Sequence, residues 1–191
     1  MTNQKSLTSV DWTRVPAPES DDRADHLPGM RLPSVGLQST NGDQVDVSVL
    51  TGRTILYAYP MTGRPDTPLP DGWDATPGAR GCTPQSCSFR DEATALRELG
   101  VEQIFGVSVQ DSAYQIEAAE RLHLPFPLLS DESLAFAKAL KLPLLKAHDM
   151  TLLARLSLII DDGQITDCIY PVFPPDQSAQ QVIDWLKANR G

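Results

Sequence analysis

Between residues 53 and 140 the chain alternates between runs suited to buried strands and runs with helical spacing, and that alternation leaves few folds open. ILYAYP at 55–60 is continuously apolar, β-branched or aromatic, the composition of a central strand covered on both faces. From Thr83 to Leu99 the side chains Phe89, Ala93, Leu96 and Leu99 recur at helical spacing, and Gly100 follows where a C-terminal cap belongs. VEQIFGVSVQ then reads as a strand, SAYQIEAAERL as a helix, FPLLS as a short strand and ESLAFAKAL as a further helix. Strands joined through helices pair in parallel, so the pattern implies βαβ units in one sheet with helices on its faces.

The flanks add antiparallel pieces. VGLQST, the turn Asn41-Gly42 and QVDVSVL form a hairpin at the front, and ARLSLIID, Asp161-Asp162-Gly163 and QITDCIYP form another near the end. QSAQQVIDWLKA closes the chain as an amphipathic helix. This element order is that of a thioredoxin-like α/β domain, a central mixed β-sheet flanked by helices, with an N-terminal β-hairpin in front. With 191 residues and 41% hydrophobic side chains, one such domain over 27–191 accounts for the chain. Residues 1–26 carry Pro16, Pro18, Asp21, Asp22 and Asp25 with few large apolar groups, and are expected to be a loose tail. Residues 61–81 hold Gly63, Pro65, Pro68, Pro70, Gly72, Pro77, Gly78 and Gly81, which exclude helix and central strand and make a long loop. It runs straight into Cys82.

Sixteen basic against twenty-five acidic residues give a net charge of -9, which argues against nucleic acid and anionic membranes as main partners. No window approaches the roughly 18 apolar residues of a membrane span, and the N-terminus lacks the apolar stretch of a secretory signal, so a cytoplasmic protein is expected. In a reducing compartment a close cysteine pair such as Cys82 and Cys87 is more often catalytic or metal-binding than structural. Cys168, His26, His123 and His148 show no ligand spacing that would add a metal to that pair, and no cofactor is expected.

A free thiol is only about 3% thiolate at neutral pH, so a reactive cysteine needs surroundings that favour the anion. Cys82 stands where a Gly-rich loop enters a helix, and the unpaired N–H groups there stabilise an anionic sulfur. Pro84 fits the same placement, because its missing donor has no partner in a first turn. Five residues of ideal helix separate two Cα atoms by about 8.5 Å, whereas a disulfide needs less than about 7 Å. On an intact helix, therefore, Cys82 and Cys87 bond only after the first turn unwinds. Position alone leaves a peroxidase, a dithiol reductant and a structural pair all open.

ILYAYP followed by GCTPQSCSFRDE, GVSVQDS, LPFPLLSDES and RLSLIIDDGQI resembles the peroxiredoxins, in their bacterioferritin comigratory protein or Q-type branch, over about residues 30–190. The resemblance implies a peroxidatic cysteine at Cys82, a resolving cysteine at Cys87, a shielding proline at Pro60 and a thiolate-stabilising arginine at Arg155. It implies a peroxide substrate, a sulfenic acid on Cys82 resolved as an intramolecular disulfide, and reduction by a thioredoxin-like protein. A monomer or weak homodimer is expected. One position departs from the pattern: where the family usually has a threonine or serine, three residues before the reactive cysteine, this chain has Ala79. Thr62 or Thr76 of the long loop is the candidate replacement. The same loop, with Trp73 and Leu69, is a candidate lid or reductant-docking surface, and Arg80 is a weaker electrostatic candidate. His123 and Cys168 are expected to be bystanders. A disulfide oxidoreductase on the same fold, or a peroxide-responsive redox sensor with little turnover, are the alternative readings.

Overall fold

ILYAYP becomes the middle of the molecule in the computed structural model, which describes residues 10–189. The strands are β1 (Gly36–Ser39), β2 (Gln44–Asp46), β3 (Arg53–Ala58), β4 (Val101–Ser108), β5 (Leu128–Ser130), β6 (Leu144–Ala147), β7 (Met150–Leu153), β8 (Leu156–Asp161) and β9 (Gln164–Ile169). The helices are α1 (Cys82–Asp91), α2 (Ala93–Glu98), α3 (Ser112–Arg121), α4 (Ala135–Leu140) and α5 (Ser178–Ala188). Seven strands form one mixed sheet in the order β2-β1-β5-β4-β3-β8-β9. Its parallel centre is β3, β4 and β5, with β8 antiparallel to β3 on one side and β1 antiparallel to β5 on the other.

Alternation along β3 divides the core in two, because successive strand side chains point to opposite faces. Ile55, Tyr57 and Tyr59 join Phe89 of α1, Leu96 of α2 and Val182, Ile183 and Leu186 of α5. Leu56 and Ala58 join Phe136 and Leu140 of α4 on the other face, together with Ala24, Leu27 and Leu32. Tyr57 seats α1: its ring stacks on Phe89 with centroids 4.3 Å apart, and its hydroxyl donates to Ser86 Oγ at 3.1 Å. Burying Phe89 contributes on the order of 2–3 kcal/mol, more than the exposed Arg90–Asp91 ion pair on the same helix, worth about 0–1 kcal/mol. Gly106 of β4 leaves room for this arrangement, since a Cβ there would lie 2.6 Å from the Tyr57 ring.

Two expectations are corrected and one unforeseen element is added. The helix expected over 83–99 is two helices, broken at Glu92 (ψ 5°). Phe89, Ala93 and Leu96 keep their spacing across the break, so the apolar pattern carries no sign of it. Residues 10–26 are not a loose tail: Ala24 is buried in the core, Trp12 meets the Phe173 ring edge-on at 6.2 Å, and Arg23 donates to the Leu144 carbonyl. Residues 1–9 lie outside the described residues. Finally, 144–153 forms an antiparallel hairpin, β6–β7, which the sequence reading left out. Its two-residue turn places His148 at φ 52°, a conformation usually announced by Gly or Asn.

That hairpin supports the long loop. Trp73 and Ala79 are buried against Ala147 and Leu152. The loop is therefore seated on the domain, and of its two candidate docking side chains only Leu69 is exposed.

Candidate active site

Cys82 is the first residue of α1, and Gly81 is its N-cap at φ 109°. Only glycine fits there. Besides the strain of that φ, a Cβ on Gly81 would lie 2.5 Å from Pro175 Cγ and 2.8 Å from Trp12 Cη2. Cys82 is 3% exposed, and its sulfur faces three groups. The Met61 N–H points at Sγ from 3.4 Å, Arg155 Nη2 lies 3.4 Å away, and the thiol faces the Ala79 carbonyl at 3.6 Å. Pro60, buried at the end of the central strand run, immediately precedes the Met61 donor.

Arg155 reaches this point from the residue before β8, with its own position fixed on both sides. Ala154 N–H donates to the Pro143 carbonyl and Val172 N–H to the Arg155 carbonyl. Its Nη2 also faces the carbonyls of Gly78, Ala79 and Arg80 at 3.1–3.3 Å, and its Nη1 donates to Gln85 Oε1 at 2.5 Å. Gln85 is fully buried, and its Nε2 donates to the Ala58 carbonyl and to Ser178 Oγ. One side chain thus ties the arginine, the central strand and α5 together. The sequence reading missed Gln85, although its place three residues after Cys82 puts it on the same helix face.

A buried cation normally has a carboxylate beside it. Arg155 is 3% exposed, and among the described residues no carboxylate oxygen pairs with it. The Cys82 sulfur, as thiolate, is the anion this geometry offers to the guanidinium.

Neither candidate hydroxyl takes the place left by Ala79. Thr62 Oγ1 donates to Gln110 Oε1 at 3.1 Å and Thr76 Oγ1 to the Gly72 carbonyl at 3.1 Å. Instead, a backbone donor, Met61 N–H, stands at the sulfur. Arg80 points outward and pairs with Asp74 at 3.1 Å.

Cys87 lies on the same unbroken helix, half-buried, and all three cysteines are free thiols. Burial pushes the Cys87 thiol up, with nearby Arg90 opposing. A thiol shifted in this direction carries less of the reactive thiolate than an ordinary one at neutral pH. Cys168 is pushed up to about 12 by burial and by the charges of Asp167 and Asp25. His123 is exposed at φ 52° beyond α3 and lines a hollow of about 670 Å³ that is lined by neither Cys82 nor Arg155.

The Redoxin family model matches residues 27–183. Peroxiredoxin Q of Arabidopsis thaliana, a chloroplastic protein, is 31% identical over 164 residues, covering 84% of this chain and 67% of the relative. The chain spans 66% of the length of the rice peroxiredoxin Q proteins it matches. Among solved structures, peroxidoxin BcpB from Mycobacterium tuberculosis superposes with a TM-score of 0.69 at 24% identity, over 87% of this chain and 100% of that one. The Xanthomonas campestris bacterioferritin comigratory protein, solved in a study of its alkyl peroxide reduction, gives a TM-score of 0.64 at 20% identity, over 83% and 96%.

Proposed function

The chain belongs to the Redoxin family as a peroxiredoxin of the Q, or bacterioferritin comigratory protein, branch, and from that membership we propose that it is a thiol peroxidase acting through Cys82 and Cys87. The observation that carries this reading is the buried Arg155, 3.4 Å from the Cys82 sulfur and without a carboxylate partner among the described residues. Thiolate attack on a hydroperoxide forms an S–O bond and breaks the O–O bond. The departing oxygen takes a proton and leaves as water or an alcohol. Arg155 and the Met61 N–H are placed to hold the charge that develops on the peroxide oxygens, which is where fixed donors accelerate a reaction most. Pro60 sets the Met61 donor at the end of the strand run.

The Cys82 sulfenic acid then condenses with the Cys87 thiol, giving the disulfide and water. On the helix observed, the two Cα atoms are about 8.5 Å apart by ideal geometry, so this step requires the first turn of α1 to open. A thioredoxin-like dithiol protein returns the disulfide to the thiols, in a reducing compartment such as the cytoplasm, and the protein works as a monomer or weak homodimer. Hydrogen peroxide and alkyl hydroperoxides are the substrate class, by analogy with the Xanthomonas protein. A cysteine only 3% exposed favours a small hydroperoxide over direct reaction with a protein disulfide.

Cys87→Ser tests the division of labour. One equivalent of hydroperoxide should leave this variant with a sulfenic acid on Cys82, trapped by dimedone and seen by mass spectrometry, while turnover with thioredoxin and its reductase is lost. Undiminished turnover would remove Cys87 from the cycle.

A further inference from the structure

We propose that the segment Trp12–Arg23 is a strap that holds the Gly78–Cys82 turn closed, with Trp12 as a positioning residue, and so slows the transfer of oxidised Cys82 to Cys87. The proposal rests on the thiol peroxidase reading for its chemistry, but on contacts outside the matched family segment, 27–183, for its structure. At the near end, Trp12 sits in a short turn whose N-cap Asp11 accepts from Thr13. Its ring edge meets Phe173, and its Cη2 lies against Gly81 opposite Pro175. Pro18 lies over Gly78, with its Cβ 3.5 Å from where a side chain would begin.

The far end is tied to the body through Arg23, whose ion pair with Asp21 lies within the strap and whose other donors reach a carbonyl and a hydroxyl outside it. Arg23 Nε donates to Asp21 Oδ2 at 2.8 Å, Nη1 to the Leu144 carbonyl at 2.9 Å and Nη2 to the Tyr170 hydroxyl at 2.8 Å. Between the two anchors a hollow of about 340 Å³ separates the strap from Arg155, lined among others by Ala17, Pro18, Pro77 and Tyr170. The strap touches the turn at Gly81 and Gly78 but does not fill the space behind it. It can lift without dismantling the core.

Closing the disulfide moves the residues that Trp12 and Pro18 cover. The sulfenic acid has two fates. The Cys87 thiol can displace water from it to give the disulfide, or a second hydroperoxide can oxidise it to sulfinic acid, itself being reduced to water or an alcohol. The second needs no unwinding. A strap that resists opening therefore slows only the first, and raises the share of enzyme lost to sulfinic acid when peroxide is in excess.

Trp12→Ala and Arg23→Ala release the two anchors separately. In each, disulfide closure after a peroxide pulse should be about tenfold faster, the scale of one lost aromatic or charged anchor, and the peroxide concentration giving half sulfinic acid should rise by a similar factor. Trp12→Phe should restore values near those of the unmodified protein. In the reduced variants amide exchange should rise at residues 78–87 and stay unchanged in β3. Closure and exchange equal to the unmodified protein in both variants, or exchange raised across β3 as well, would overturn the strap. If the unmodified protein forms no sulfenic acid at Cys82, the peroxidase reading falls, and the exchange comparison alone decides whether the strap exists.

Discussion

Replacing Cys82 by serine should lower the second-order rate with hydrogen peroxide by at least about a thousandfold, because the Met61 N–H and Arg155 Nη2 both stand at its sulfur. A serine hydroxyl does not ionise near neutral pH, so neither the Met61 N–H nor Arg155 gains an anion to stabilise. The remaining thiols do not replace it. Burial pushes the Cys87 thiol up, and Cys168 is pushed up to about 12. Both titrate in the direction that leaves less thiolate at pH 7, so the residual reaction should quicken as pH rises. Stopped-flow peroxide consumption by Cys82→Ser measures this directly, with the near-ultraviolet circular dichroism reporting that the fold is retained. A rate within tenfold of the unmodified protein would place the nucleophile elsewhere.

Arg155→Met should lower the same rate constant by about 10²–10³, the range found when one fixed donor is removed from a developing negative charge. Methionine keeps much of the arginine's length and packing while removing all its donors, which isolates the charge. Stability should change far less than rate. Among the described residues the guanidinium has no carboxylate partner, so its removal strands no buried carboxylate; it leaves Gln85 Oε1, the loop carbonyls and the Cys82 sulfur without that donor. Arg155→Lys should recover only part of the loss, because one ammonium cannot serve Gln85 and the Cys82 sulfur in the fixed geometry of a guanidinium. Peroxide titration of the two variants, set beside their urea midpoints, separates the catalytic effect from the structural one.

How much of this was legible in the sequence follows from which interactions are local. The central strand 55–60 and the reactive helix start announced themselves by composition and by the Gly81-Cys82-Thr83-Pro84 order, because burial on both faces and first-turn geometry each constrain residue type. Arg155 was available only through the resemblance; no local pattern links it to a cysteine 73 positions away. The β6–β7 hairpin was hidden because His148 occupies a left-handed turn position without the glycine that usually marks it. Residues 10–26 misled for a different reason. Their few apolar groups are too sparse to make a core, but Trp12, Pro18 and Ala24 need only a surface already built by Phe173, Gly81 and the α4 face. Gln85 and the Met61 N–H were missed because a neutral amide and a backbone donor carry no signature of chemistry until a sulfur and a guanidinium stand beside them.

The departure at Ala79 also takes on a physical meaning. Without a hydroxyl at that position, donation to the sulfur comes from the backbone at Met61 and from Arg155, and the loop threonines are engaged with Gln110 and Gly72. The site keeps its cation and one neutral donor.

The central claim is that hydroperoxide oxidises Cys82 and that the oxidising equivalents end between Cys82 and Cys87. Peptide mapping by mass spectrometry, after one equivalent of hydroperoxide is added to the fully reduced protein, tests it in a single measurement. The account predicts a near-stoichiometric Cys82–Cys87 disulfide with Cys168 still alkylatable; a Cys82 that remains a free thiol, or a disulfide that recruits Cys168, would contradict it.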